Sequence, residues 1–68
     1  MTPLKAQMLR LGLTVRDAAL LTGSTTRTVE LWRAGSNPTP RAVTLLLTAL
    51  EEGKIDIDWL AQRLEANP

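Results

Sequence analysis

Near the middle of the chain lies a run of threonines with one arginine, followed shortly by a glutamate. A guanidinium can form a paired hydrogen bond to the O6 and N7 atoms of guanine. A threonine can offer its hydroxyl or its methyl group, and a carboxylate can accept from the amino group of cytosine. The sequence therefore predicts a set of side chains able to contact DNA bases: Thr25, Thr26, Arg27, Thr28 and Glu30. We expect Arg27 to contribute most to sequence discrimination.

Such side chains reach base edges only when a helix presents them, and residues 15–35 have the pattern of two short helices joined by a turn at Gly23. Ala18 and Ala19 are small enough to let the two helices pack closely. The second helix would direct its N-terminal backbone N–H groups and partial positive charge at the duplex. The pattern predicts a helix-turn-helix that contacts the major groove. Under the alternative interpretation of the same residues, the threonines only cap a helix and Arg27 is an ordinary solvated residue.

Glycines and hydroxyl residues mark the ends of five helices. Each of the four glycines follows a segment of helical periodicity and can adopt the positive φ of a helix C-terminus. These signals predict an all-α domain with helices at about 3–11, 15–22, 25–34, 40–52 and 57–66. The expected N-caps are Thr2, Thr14 in a capping box with Asp17, Ser24 or Thr25, Thr39 before Pro40, and Asp56.

The apolar residues follow the same helices. Val29 and Trp32 are three apart and are expected to anchor the third helix in the core, leaving its polar residues on other faces. Apolar residues of the fourth helix cover more than half of its circumference. This helix is therefore predicted to be central and contacted from several sides.

Composition excludes several classes of function. The 68 residues suffice for one domain, residues 1–68, and they include no cysteine and no histidine. Disulfides and thiolate or imidazole metal sites are therefore excluded, and we expect no enzymatic activity, metal, cofactor or small-molecule substrate. No apolar run is long enough for a membrane span and no signal peptide is apparent, so we expect a soluble, cytoplasmic protein.

Charge is unevenly distributed along the chain. Residues 1–50 contain six basic and two acidic side chains, a balance of +4, whereas the remainder has a balance of −3. The basic part therefore coincides with the segment predicted to contact DNA.

Residues 13–35 resemble the Cro/C1 repressor-like family of bacterial and phage regulators, through AA, the turn glycine, TTRTV and ELWRAG. The resemblance continues through PTPRAVTLLLTAL and covers most of the chain. Its small size and Pro-Thr-Pro segment are also similar to the very small phage regulators encoded beside anti-CRISPR genes. The family implies a lambda-repressor-like fold, with Thr25, Thr26, Arg27 and Glu30 facing bases. Phosphate contacts are expected for Arg16, Ser36 and Asn37, as the family implies, and also for Thr14, Arg33 and Arg41.

Four positions depart from the family pattern. Val15 stands where the family usually has glutamine, Thr22 and Ser24 replace apolar residues beside the turn glycine, and Arg33 stands where glutamate is common. The departures at Val15 and Arg33 sustain an alternative function, a protein-binding adaptor or antitoxin-like partner on the same helical fold.

The last predicted helix has an apolar stripe on an acidic segment. The stripe can either close the core or pack against a second copy of the chain. We expect a homodimer, because a two-fold protein matches an inverted-repeat operator. The expected dimer interface consists of Ile55, Ile57, Trp59, Leu60 and Leu64. The resulting expectation is a sequence-specific regulator of transcription that acts as a repressor.

Overall fold

Five α-helices make up the regular structure of the described residues. The computed structural model describes residues 2–66, and the side chains of residues 2–64. In this range the helices are α1 (Pro3–Leu11), α2 (Val15–Thr22), α3 (Thr26–Ala34), α4 (Arg41–Glu51) and α5 (Ile57–Ala66). The predicted all-α class is confirmed, and each predicted boundary lies within one residue of the observed one.

Local hydrogen bonds explain why the helices begin and end at these residues. The hydroxyl of Thr14 accepts from the N–H of Asp17 at 3.1 Å, and the Asp17 carboxylate accepts from the N–H of Thr14 at 3.0 Å, which is the predicted capping box. The hydroxyls of Thr2 and Thr25 cap α1 and α3 by accepting from the N–H groups of Lys5 and Thr28, without a return bond. At the C-terminal ends of the first three helices, Gly12, Gly23 and Gly35 adopt positive φ, as expected.

The start of α4 differs from the prediction. Pro40 was expected to be the first helical residue behind a Thr39 cap, but its ψ of 142° is extended, so the helix begins at Arg41. Pro40 is therefore the N-cap, and it makes no side-chain hydrogen bond there because proline has no polar side-chain atom.

The core is built from two apolar side chains of each of the first four helices. The expected burial of Val29 and Trp32 is confirmed. Gln7 is also buried, and its amide donates to the hydroxyl of Thr48 at 3.1 Å, so its polar group is satisfied. The eight apolar core residues are Leu4, Met8, Ala18, Ala19, Val29, Trp32, Val43 and Leu47.

The prediction that α4 is the central helix is wrong. Only Val43 and Leu47 of α4 are buried, and the side chain of Leu45 is 57% exposed. The helix packs mainly against α1, which itself contacts both α3 and α4. A helix at the edge of a bundle buries a single stripe of residues. Residues four apart form this stripe, even when the rest of the helix surface is also apolar.

A salt bridge reinforces the contact between α1 and α4. The guanidinium of Arg10 donates to both carboxylate oxygens of Glu51, at 3.2 and 3.1 Å. This pair neutralises one of the six basic residues in the basic part of the chain. The charge that remains for a partner is therefore concentrated in Lys5 and the arginines of later helices.

The last helix contributes little to this core. α5 packs against α2, and none of its described side chains is buried. No helix within residues 2–66 combines the length and apolar character needed to cross a bilayer.

Candidate nucleic-acid interface

Helix α3 has one buried face and one exposed face. Val29 and Trp32 are buried, and the half-buried Thr28 and Leu31 follow Trp32 around the helix. At 100° per residue, the remaining positions form one continuous arc of about 120°, and all of them are exposed. This surface, which we call the α3 face, consists of Thr26, Arg27, Glu30, Arg33 and Ala34.

The N-terminal end of α3 is organised by two threonines. The hydroxyl of Thr25 accepts from the N–H of Thr28 at 3.1 Å, and the two hydroxyls are 2.9 Å apart. Both hydroxyls therefore take part in the N-terminal cap of α3. This observation agrees with the alternative interpretation, in which the threonines only cap the helix. The N–H groups of Thr26 and Arg27 have no acceptor within the helix, because the first turn of a helix lacks one. Donors and a partial positive charge are therefore concentrated at this tip.

The connection between α2 and α3 is short and has defined geometry. It comprises residues 23–25, between the last residue of α2 and the first of α3. Gly23 has φ 69°, and its N–H donates to the carbonyl of Ala19, as does the N–H of Ser24 at 2.9 Å. α2 and α3 pack against each other, and the buried Ala18 and Ala19 keep the α2 side of this contact small. The α3 face is therefore held by its neighbour as well as by the core.

All six residues predicted to contact phosphate are exposed, but they belong to separate elements. Arg33 is on the α3 face, and the N–H groups of Ser36 and Asn37, just after α3, donate to the carbonyl of Leu31. Of the remaining three, Thr14 and Arg16 lie at the start of α2 and Arg41 is the first residue of α4.

The start of α2 has a local charge pair. The Thr14 N–H and then the Thr14 hydroxyl stabilise the carboxylate of Asp17, so the pKa of that group lies below its ordinary value. Arg16 favours the ionised form as well. Near neutral pH the negative charge of Asp17 therefore partly offsets the positive charge of Arg16.

An apolar groove lies between α2 and α5. It has a volume of about 780 Å³, and its lining includes Leu20, Leu21, Ile57, Ala61 and Leu64. Leu20 is 62% exposed. None of the described side chains of α5 is buried, so its apolar stripe is not part of the core. Two predicted interface residues, Ile57 and Leu64, line this groove.

The other predicted interface residues lie elsewhere on α5 or before it. Trp59 is half exposed, and the guanidinium of Arg63 lies 4.9 Å from the centre of its ring. Leu60 and Ile55 are half buried. The groove and Trp59 are therefore separate apolar features of this region, because Ile57 and Trp59 are about 160° apart around the helix.

The sequence analysis missed several residues that shape this region. Gln7 shares a helix face with Leu4 and Leu11, which was the available signal for its burial. Leu20 lies one position after the buried Ala19 and gave no signal of a groove. The long-range partners of Arg10 and Thr2 have no local signature at all.

Metal binding and similarity to known proteins add no further assignment. Among residues 2–66, no group of three or more acidic, histidine or cysteine side chains is placed to hold a metal ion. No protein-family model, no curated protein and no solved structure matches this chain. The α3 face and the groove are therefore the two surfaces that bear on function.

Proposed function

We propose that this chain binds double-stranded DNA by inserting the α3 face into the major groove, and that it represses transcription by occupying a promoter. The observation that carries the proposal is the division of α3 into two faces. Val29 and Trp32 hold the helix from behind, while Thr26, Arg27 and Glu30 are exposed together at its N-terminal half. Each of these three can hydrogen bond to a base edge.

Size and charge agree with this mode of binding. α3 has nine residues and is therefore about 13 Å long, and an α-helix of about 10–12 Å diameter fits the major groove. Arg27, Arg33, Arg16 and Arg41 are exposed and can approach phosphates. A regulator of this kind works where the DNA is, which for a bacterial or phage protein is the cytoplasm.

A homodimer on an inverted repeat is part of the proposal. An isolated helix of ten residues is marginal in water, and α5 has no buried described side chain to stabilise it within one copy. Burial of Ile57 and Leu64 against a second copy would supply the missing apolar contact. Half-site centres would then lie about one helical turn apart, roughly 10 base pairs.

The experiment that tests this function is selection of bound duplexes from a random pool, followed by titration with salt. We expect an inverted-repeat site whose affinity falls steeply as salt rises. Arg27→Ala should lose preference at one base pair per half-site. Lys54→Ala, which removes the same charge from an exposed position before α5, should leave the preference unchanged. Recovery of no preferred site from the pool would refute the proposal.

The groove favours a second candidate function. A mainly apolar trough beside α2 is typical of surfaces that receive a partner protein, so an adaptor or antitoxin-like role is the alternative. An adaptor would bind duplexes weakly or not at all, and any binding would be displaced by nonspecific competitor DNA. A repressor should retain its specific site under the same competition.

A further inference from the structure

The side chain of Thr2 links the beginning of the described chain to the end of α3. Its hydroxyl accepts from the N–H of Lys5 at 3.2 Å and donates to the carbonyl of Arg33 at 2.7 Å. A Cβ atom added to Gly35 would lie 3.3 Å from the Thr2 methyl carbon, so the side chain of Thr2 lies close to Gly35. One hydroxyl thus caps α1 and binds α3 at the same time.

The hydrogen bond to the carbonyl of Arg33 differs from those that the other carbonyls at the end of α3 accept. The last carbonyls of a helix have no donor within it. Those of Leu31 and Trp32 are satisfied locally, by the N–H groups of Gly35 and the residues that follow. The carbonyl of Arg33 accepts instead from a side chain 31 positions earlier. This hydrogen bond ties the C-terminal end of α3 to α1.

The orientation of α3 is sensitive to such a tie. Two buried side chains, Val29 and Trp32, anchor the helix to the core, and apolar contacts are not directional. A tilt of about 10° about the C-terminal end of a helix this long would move its tip by about 2 Å. Good hydrogen bonds occupy a range of only about 0.5 Å in distance. A small tilt would therefore misalign Thr26 and Arg27 with base edges.

We propose that Thr2 is a positioning residue that sets the tilt of α3 and thereby the sequence discrimination of the protein. This inference rests on the proposed function, because it concerns the helix that contacts DNA. Thr2 itself touches no base. It acts through the carbonyl of Arg33, and its effect is expected in the ratio of specific to nonspecific affinity.

Three substitutions separate this role from the capping of α1. Thr2→Ser keeps the hydroxyl and both hydrogen bonds. Thr2→Val keeps the shape and loses both. Thr2→Asp still caps α1, since aspartate is at least as good an N-cap as threonine, but an ionised carboxylate cannot donate to the carbonyl of Arg33. Thr2→Asp therefore keeps the cap of α1 and removes the tie to α3, while it adds one negative charge.

The measurement is the affinity for the selected site and for a random duplex, at one salt concentration and at a temperature where circular dichroism shows every variant folded. For Thr2→Val and Thr2→Asp we expect the ratio of the two affinities to fall about fivefold to tenfold, the worth of one hydrogen bond. Thr2→Ser should retain the parent ratio. A change in charge alone would lower both affinities and leave the ratio unaltered.

Amide chemical shifts of the free protein provide a readout that needs no DNA. With Thr2→Asp, we expect shifts at residues 33–37 and little change in α1. An unchanged affinity ratio for Thr2→Asp, in a protein that does discriminate, overturns the positioning role whatever the result for Thr2→Val, and it leaves the proposed function standing. If the parent protein has no preferred duplex, the proposed function fails, and the positioning role fails with it even if the amide shifts occur.

Discussion

A matched pair of substitutions on α3 separates its buried face from its exposed face. Val29 has no exposed surface, and Arg27, two residues earlier, is exposed. Val29→Ala removes two buried carbon groups worth about 0.8 kcal/mol each, and the cavity raises the expected loss in the free energy of unfolding to about 2–3 kcal/mol. Arg27→Ala removes no core contact, so stability should change by less than about 0.5 kcal/mol.

Thermal unfolding followed by circular dichroism measures the first half of this prediction. A chain of 68 residues has an unfolding entropy of about 0.14 kcal/mol per kelvin, so Val29→Ala should lower Tm by about 15–20 °C. The Tm of Arg27→Ala should stay within about 4 °C of the parent. Equal losses of Tm for the two variants would show that α3 does not have the two faces described.

DNA affinity measures the second half, with both variants well below their Tm. Arg27→Ala should weaken binding to the selected site by roughly 5- to 150-fold, which corresponds to about 1–3 kcal/mol for a paired contact with guanine. Val29→Ala should change that affinity much less. Arg27→Lys keeps the charge but loses the planar fork, so it should lose preference at one base pair while the salt dependence is retained. If Arg27→Lys discriminates as well as the parent, the paired contact is refuted.

Three further predictions test the core, the α2 cap and the dimer. In urea titration, Leu47→Ala should lower the free energy of unfolding by about 3–5 kcal/mol, whereas Leu45→Ala should lower it by less than about 0.5 kcal/mol. Equal losses would show that α4 is buried on both sides, as a central helix is. The N–H of Thr14 lowers the pKa of the Asp17 carboxylate in the folded state. The ionised carboxylate therefore stabilises the folded state at pH values above the unfolded pKa of about 4, and this contribution is lost as the pH falls from there through the folded pKa. Melting curves at pH 7 and pH 3 should therefore show a smaller acid-induced loss of stability for Asp17→Asn than for the parent, and an equal loss would rule out this source. Leu64→Lys should convert a dimer to a monomer in sedimentation velocity, while Leu45→Lys should not, and a monomeric parent would refute the proposed dimer.

The sequence predicted most of the secondary structure because its signals are local. A left-handed glycine, a capping threonine and the Thr14 capping box each act within about four residues, so they can be recognised without knowledge of the fold. The same reasoning placed Val29 and Trp32 in the core. Two boundary signals failed, both on α4: Pro40 is extended rather than helical, and the C-cap is Glu52 rather than Gly53. Each concerned backbone angles that the neighbouring residues did not determine.

The candidate site was predicted only in part. Apolar spacing separated Val29 and Trp32 from the α3 face, since periodicity assigns residues to sides of a helix. It did not distinguish Thr28, which is half buried and bonded to Thr25, from the exposed Thr26. Which hydroxyl caps a helix end depends on backbone angles that either residue could adopt.

The order of amino acids alone determined where the five helices lie, since capping and helical periodicity are properties of neighbouring residues. Only the tertiary structure decided which helices meet. It paired Arg10 with Glu51 and Thr2 with Arg33, placed α4 at the edge, and left a groove beside α5. These contacts join residues 31 or more positions apart or depend on which faces pack. They follow from the mutual fit of whole helices, which no short segment encodes.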